Sequence, residues 1–477
     1  MVSGVQDLLA KMRTWFGSIF DVGPEDRLKI IFLSIAYFLV IGAYTIAREL
    51  KDSIFLTVVG KAYQPRAKLL VMVVLVPVIL FYSLLVDRVK RHQLLALCSA
   101  FFGLGGLCVA YFLGDPTIGL YNTVSSPYRF FGWIFYVFVE GYSPFLVSVL
   151  WAFANSITSP ESAKNNYALV VAASKVGGVL TSGMAWFLFT AAAGSHCSPV
   201  FAVKSHQMVL FVASIMLLLV PLVIWLMTRM VPSSHLHGYE AAYQAEKQLK
   251  KEHKESVGMF AGLSLLGRYP YVMGIFSMIV FYEIINTVLS FLRLGVAQQH
   301  SSDVAGISGY LFKIIFMTHL VGFFISLFGT KMLLKRLGEK TCLMIVPLLI
   351  GALLLGFMLY PVPDMLVMTF VALKAINYAF SWPVRESLYI PTVKDIKFKS
   401  RSWIDAFGGK FAKMGGALFN EIVMRVGEAV LAVYSLFFAS IVFCWFTAAF
   451  LLGRRFESAV ANNEVIGIDK QAPDPEK

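Results

Sequence analysis

MVLFVASIMLLLVPLVIWLM, residues 208–227, is a run of 20 residues without a single charge. A bilayer core about 30 Å thick is crossed by about 20 helical residues rising 1.5 Å each. A helix that is apolar on every side belongs in lipid or deep inside a large core. The rest of the chain is written the same way. Of its 477 residues, 58% are hydrophobic and 14% charged, and the mean hydropathy is +0.72. Soluble domains carry about 25% charged residues, so lipid is the solvent for much of this surface.

Working outward from residues 208–231, eleven further apolar runs reach spanning length. They fall near 29–50, 68–86, 93–113, 129–154 and 167–192 on one side. On the other they fall near 270–292, 308–330, 341–361, 363–382, 404–426 and 429–452. The expected fold is an all-α polytopic membrane protein with twelve transmembrane helices. The longest polar stretch contains His235, Glu240, Lys247, Lys250, Lys251, Glu252 and Lys254, close to the midpoint. It divides the chain into a six-helix half at 1–231, a linker at 232–268 and a second six-helix half at 269–477.

Lys and Arg concentrate in loops on the cytoplasmic side. Arg88, Lys90 and Arg91 follow span 2; Lys331, Lys335, Arg336 and Lys340 follow span 8; Lys394, Lys397, Lys399 and Arg401 follow span 10. This bias places both termini and the linker in the cytoplasm. One outer loop breaks the pattern: Arg48, Lys51, Lys61, Arg66 and Lys68 lie between spans 1 and 2. Charges retained against the bias are expected to have a use. The formal net charge of +13 suits an anionic leaflet or an anionic solute. No soluble basic domain accompanies it, so nucleic acid is not an expected partner.

Several reaction classes are excluded. The chain has no P-loop, no HExxH pair and no Gly-x-Ser-x-Gly elbow. Cys98, Cys108, Cys197, Cys342 and Cys444 show no CxxC or Cys/His spacing, so neither a disulfide framework nor a metal site is expected. No cofactor is expected, and the first 28 residues do not have the order of a signal peptide. Transport of a solute, not covalent catalysis, is the expected activity.

A charge near the bilayer centre costs several kcal/mol and marks a functional site by default. Arg48, Glu49, Lys51 and Asp52 end span 1; Glu140 lies in span 4, Lys175 in span 5, Glu283 in span 7 and Lys313 in span 8. Lys374 lies in span 10, Arg385 and Glu386 follow it, and Lys410, Lys413 and Glu421 lie in span 11. Basic residues dominate, which fits an anionic cargo. Plainer roles compete. Lys313 can snorkel to the interface, Lys374 can pair with a carboxylate, and His319 reads as a satisfied polar residue. Glu140 and Glu283 stand far from span ends and are harder to explain structurally.

The halves also echo each other. Lys175-Val176-Gly177-Gly178 in span 5 matches Lys413-Met414-Gly415-Gly416 in span 11. Parallel six-helix repeats are the pattern of major-facilitator transporters, whose substrate sites lie between the halves. The glycine pairs equally suit close helix packing.

These residues resemble a known family. Arg48-Glu49-Leu50-Lys51-Asp52-Ser53 is similar to the Arg-x-x-Lys-Asp-Ser signature of the ATP/ADP translocases of plastids and obligate intracellular bacteria. Glu140 through Trp151-Ala152-Phe153-Ala154-Asn155 to Ala163-Lys164 resembles the family's span 4. Pro383-Val384-Arg385-Glu386, Tyr389-Ile390-Pro391, Lys397 and Ile404-Asp405 resemble its span 10–11 region, and Lys413 through Leu418 continue the match. The resemblance implies a major-facilitator-like fold, a nucleotide cargo and an address in a bacterial inner membrane. It also implies that Lys51, Glu140, Glu283 and Lys413 are critical for transport. Arg48, Lys175, Asn155 and Arg385 join them as candidate substrate-binding residues. Lys51, Arg385 and Lys413 suit a polyphosphate clamp, and Tyr44, Tyr136 or Tyr282 offers a ring for a base. The chain departs from the pattern at Thr287, Trp382, Asn377 and Arg385. ATP/ADP exchange by a monomer is the leading expectation. Proton-coupled uptake of nucleotides or related phosphorylated anions, NAD included, is the alternative.

Overall fold

The computed structural model describes residues 24–86, 89, 91–158, 160–193, 198–232, 236, 261–325, 330–381, 384–385, 388–389, 391–393, 396, 404, 408–425, 430–462 and 464–467. The expected linker falls almost wholly outside them, as do Cys197, Trp382, Pro383, Glu386, Lys397 and Asp405.

Among the described residues, each of the twelve apolar runs contains a helix. In chain order these are α1 (Pro24–Val58), α2 (Gln64–Val86), α3 (Arg91–Leu113), α4 (Phe130–Ile157), α5 (Pro160–Ala192) and α6 (Pro199–Met230). The second six are α7 (Pro270–His300), α8 (Val304–Phe324), α9 (Thr330–Leu359), α10 (Pro363–Ile376), α11 (Gly409–Val423) and α12 (Val430–Ala461). A short helix, Ala261–Arg268, leads into α7. Among the described residues, nine of these helices are long and apolar enough to cross a membrane. Backbone polar groups have no water partners in a hydrocarbon core, which is why apolar runs of this length become helices.

Three local features depart from regular helix. Gly338 in α9 has φ +72°, a conformation open to glycine and strained for other residues. It bends the chain directly after the basic segment that contains Lys331, Lys335 and Arg336. Within α4, Ser143–Val147 forms a π-helical turn, where Pro144 removes a backbone donor. A second π-helical turn, Asn377–Ser381, continues α10. Span 10 is the counterpart of span 4 in a six-plus-six repeat.

The described chain forms two compact units. One holds residues 1–60, 74–255 and 300–319; the other holds 61–73, 256–299 and 320–477. In the first, α1 packs on α5 and α6, and α3 packs on α6. In the second, α9 packs on α12, the pair equivalent to α3 and α6. Glycines allow a close approach in each unit, at the first glycine of one motif and the second of the other. A Cβ at Gly177 would sit 2.6 Å from the Phe38 carbonyl oxygen, joining α5 to α1. A Cβ at Gly416 would sit 2.8 Å from Thr287 Cβ and 3.0 Å from the Ile284 carbonyl oxygen, joining α11 to α7. The repeated glycine motif therefore has a packing role in both halves.

Candidate functional site

Helix α1 turns one polar face toward α4. Tyr44, Arg48 and Lys51 follow at spacings of four and three, so they share that face. Lys51 is 3% exposed. Its Nζ donates to Glu140 Oε1 at 2.6 Å and lies 3.3 Å from Asp52 Oδ1. It also sits 4.2 Å from the ring centroid of Tyr136, which is fully buried. An ammonium over a desolvated ring gains further attraction. Arg48 pairs with the buried Glu49 at 3.1 Å and lies 5.6 Å over Tyr44. Among the described contacts, two cations meet three carboxylates here. Lys51 is compensated by the two acids that contact it.

Glu140 ends the regular part of α4, three residues before the π-helical turn. The Gly141 N–H reaches both the Val137 and Phe138 carbonyls, at 3.3 and 3.2 Å. The other named residues of this half lie apart from the cluster. Lys175 on α5 is half-buried. Asn155 is about 22 Å further along α4 at 1.5 Å per residue. It is exposed and accepts a 2.8 Å hydrogen bond from the Tyr167 hydroxyl. Tyr167 packs on Trp151, and Trp151 on Tyr37. Asn155 thus ties α4 to α5 at some distance from Lys51.

In the second unit, Glu283 is half-buried on α7 and accepts a 3.0 Å hydrogen bond from Asn286 Nδ2. Arg385 is half-buried and lines a small pocket with Tyr282, Asn377, Ser381 and Trp445. Lys413 is half-buried on α11. Of the three candidate stacking rings, Tyr136 and Tyr282 are buried in packing, and Tyr44 keeps partial exposure beneath Arg48.

The cations between α1 and α2 that broke the expected loop bias have partners. Arg66 donates from Nε and Nη2 to Glu421 Oε1 on α11, at 3.1 and 2.9 Å. Lys61 Nζ lies 4.8 Å from the Phe291 ring on α7, in space left by the absent side chain of Gly295. His319 behaves as a satisfied polar residue. The Thr45 hydroxyl donates to the Ile41 carbonyl at 2.8 Å, and its oxygen accepts from His319 Nε2 at 3.2 Å. Lys313 is exposed, and Cys98, Cys108, Cys342 and Cys444 are free thiols.

A profile of known families decides the identity. Residues 118–456 match the model described as TLC ATP/ADP transporter. The chain belongs to the TLC ATP/ADP transporter family. It is 24% identical over 97% of its length, and 95% of the relative's, to ADP,ATP carrier protein 1 of Chlamydia trachomatis. It is 22% identical to ADP,ATP carrier protein 1 of Rickettsia prowazekii, covering 94% of this chain and 97% of that one. Against the chloroplastic ADP,ATP carrier protein 2 of Arabidopsis thaliana it is 25% identical, over 94% and 78% of the two chains. Among solved structures, a D-xylose-proton symporter aligns with TM-score 0.62 at 13% identity, over 91% of this chain and 97% of that one. The E. coli xylose transporter in a partially occluded inward open conformation aligns with TM-score 0.59 at 15% identity, over 91% and 98%. These likenesses show the fold. This family member is a multi-pass membrane transporter of nucleotides and not an enzyme.

One polar residue of the TLC member escapes a sequence reading. Arg293 is 2% exposed on α7. The apolar run ends at residue 292, whereas the helix continues to His300. The available signal is its place on the face that carries Glu283 and Asn286.

Proposed function

We propose that the chain exchanges ATP for ADP by alternating access, with phosphate held by basic side chains. The observation that carries this reading is the burial of Lys51 between Glu140 and Asp52. A lysine held by two acids is ready for an anion. A polyphosphate offers more charge than one carboxylate, and charge-assisted bonds are the strong ones. On binding, phosphate takes Lys51 from Glu140; on release, Glu140 takes it back. The buried ammonium is never left uncompensated, which would be costly. Arg48 on α1, Arg385 after α10 and Lys413 on α11 are the further phosphate contacts in this scheme. Glu283 is the second-half acid, and Lys175 and Asn155 are its more distant members. The names of the chlamydial, rickettsial and plastid relatives support ATP and ADP as the cargo.

The protein works as a monomer in a bacterial inner membrane, with both termini and the residue 232–268 linker in the cytoplasm and the six-helix halves at 1–231 and 269–477. Labelled ATP uptake into proteoliposomes tests the exchange. Uptake should depend on internal ADP. A second reading, proton-coupled uptake, is favoured by Glu283, a carboxylate in a spanning helix whose acceptor contact among the described residues is an amide. A pH gradient driving ATP into vesicles without internal nucleotide would replace exchange with symport.

A further inference from the structure

The chain that follows α12 folds back onto the segment between α10 and α11. The Ile466 N–H donates to the Pro391 carbonyl at 2.7 Å, and the Val393 N–H donates to the Ile466 carbonyl at 3.0 Å. Together they form a parallel bridge between Thr392 and Ile466, both buried. Gly467 turns the chain away from it with φ +102°, a conformation that favours glycine. A Cβ there would lie 2.7 Å from both Val393 Cγ2 and Ile396 Cδ1.

An isolated pairing of this size is marginal on its own, and three contacts hold it. Tyr269, just before α7, donates its hydroxyl to the Gly467 carbonyl at 3.2 Å. Tyr271 on α7 is buried and donates to the carbonyl of the buried Leu388 at 2.7 Å. Arg455 on α12 donates from Nη1 and Nη2 to the two carboxylate oxygens of Glu464, each at 2.7 Å. The bonds continue back toward the transport residues. Thr392 donates from N–H and hydroxyl to the Tyr389 carbonyl, at 3.3 and 2.7 Å. The Leu388 N–H donates to the Arg385 carbonyl at 3.2 Å. Connecting segments usually leave much of their backbone to solvent; this one is bonded to three other elements.

We propose that residues 464–467 are a strap that positions Arg385 for phosphate, by pinning its segment to α7 and α12. A guanidinium fork binds phosphate through geometry as well as charge, and such geometry needs a supporting shell. Tyr271, Arg455 and Ile466 are positioning residues that act through Leu388 and Pro391. Every member of the strap lies in the second unit, so movement of that unit as one body leaves the strap closed. The proposal rests on Arg385 meeting phosphate, as in the exchange reading above.

ADP exchange by the full-length protein in proteoliposomes tests it, with KM, kcat and melting temperature measured for each variant. Tyr271→Phe deletes one oxygen, and Ile466→Pro deletes the N–H that reaches Pro391. Each should raise KM for ADP about fivefold or more and keep kcat within about twofold. Arg455→Glu should do the same, and adding Glu464→Arg should restore KM. On an Arg385→Gln background, Tyr271→Phe should change KM by less than about twofold, because the group it positions is gone. A lowered melting temperature with unchanged KM would show a purely structural strap and overturn the proposal, as would failed restoration or losses that multiply with Arg385→Gln. Should these variants fail to fold, Thr392→Cys with Ile466→Cys decides the matter. Oxidation should join the pair and leave exchange intact; absence of a cross-link, or arrest that a reductant reverses, overturns the strap. A wild-type protein that exchanges no ADP would overturn the exchange reading and the strap's role with it. Exchange by wild type with unaltered variants would remove the strap alone.

Discussion

Lys51→Ala and Glu140→Gln break the same 2.6 Å contact from opposite sides, and the exchange scheme predicts opposite consequences. Lys51→Ala removes a charge-assisted bond to phosphate, worth about 1.5–3 kcal/mol, or roughly 10- to 150-fold in affinity. It also leaves Asp52 and Glu140 facing the incoming anion without their cation, so the upper end of that range is expected. Glu140→Gln leaves Lys51 in place, with Asp52 at 3.3 Å. The lysine then has one charged competitor fewer, and ADP should bind as tightly as in wild type or up to about tenfold more tightly, within the worth of one such bond. Turnover should nevertheless slow, because no acid retakes Lys51 on release. Calorimetric titration of ADP and counterflow in proteoliposomes separate binding from turnover. A merely structural ion pair behaves differently: removal of either buried partner costs about 3–5 kcal/mol of stability, with binding lost only in proportion to unfolding. Equal losses of melting temperature and affinity in the two variants would refute the carboxylate–phosphate swap.

Other perturbations test separate parts of the structure. Gly177→Leu places a Cβ 2.6 Å from the Phe38 carbonyl oxygen, and such overpacking costs about 1–3 kcal/mol; a lower melting temperature and impaired transport are expected, with Gly267→Ala, which meets nothing within 4 Å, as the silent control. Arg66 is about half exposed, so its pair with Glu421 adds little stability, about 0–1 kcal/mol. Arg66→Glu should lower transport through repulsion by Glu421, and the double variant with Glu421→Arg should restore it; failure of the double variant would separate the two residues. Glu283→Gln should leave exchange driven by internal ADP intact if the acid only orders Asn286, and abolish any uptake driven by a pH gradient if it carries a proton.

The helices were legible because lipid forces a simple code, apolar and long. Residues 208–227 could be read alone, and all twelve runs became helices. Charges within them were equally legible, since each costs energy that composition alone makes visible. Lys51 and Glu140 stand 89 positions apart in the chain, and no spacing rule joins them; their meeting depends on how α1 packs against α4. Arg293 was hidden because a charge ends an apolar run on paper, whereas a helix buried by neighbours continues past it. The π-helical turns were hidden for a different reason. Runs apolar on all sides have no face whose drift would betray an extra residue. Asn155 shows the reverse limit, since its motif does not reveal that it would bond the Tyr167 hydroxyl of α5. The cations between α1 and α2 were anomalous in sequence and ordinary in structure, because Phe291 and Glu421 supply the reason that the loop itself lacks.

The two π-helical turns give the transporter something like a pair of swivels. Each holds one more residue than an α-turn would, and one residue corresponds to about 100° of helix rotation. That slack can pass along the helix by exchanging neighbouring hydrogen bonds one at a time, so the segment beyond can rotate without a break in lipid. In α4 the slack lies between Glu140 and Trp151; in α10 it follows Lys374. Excising a single residue from either turn would lock that swivel.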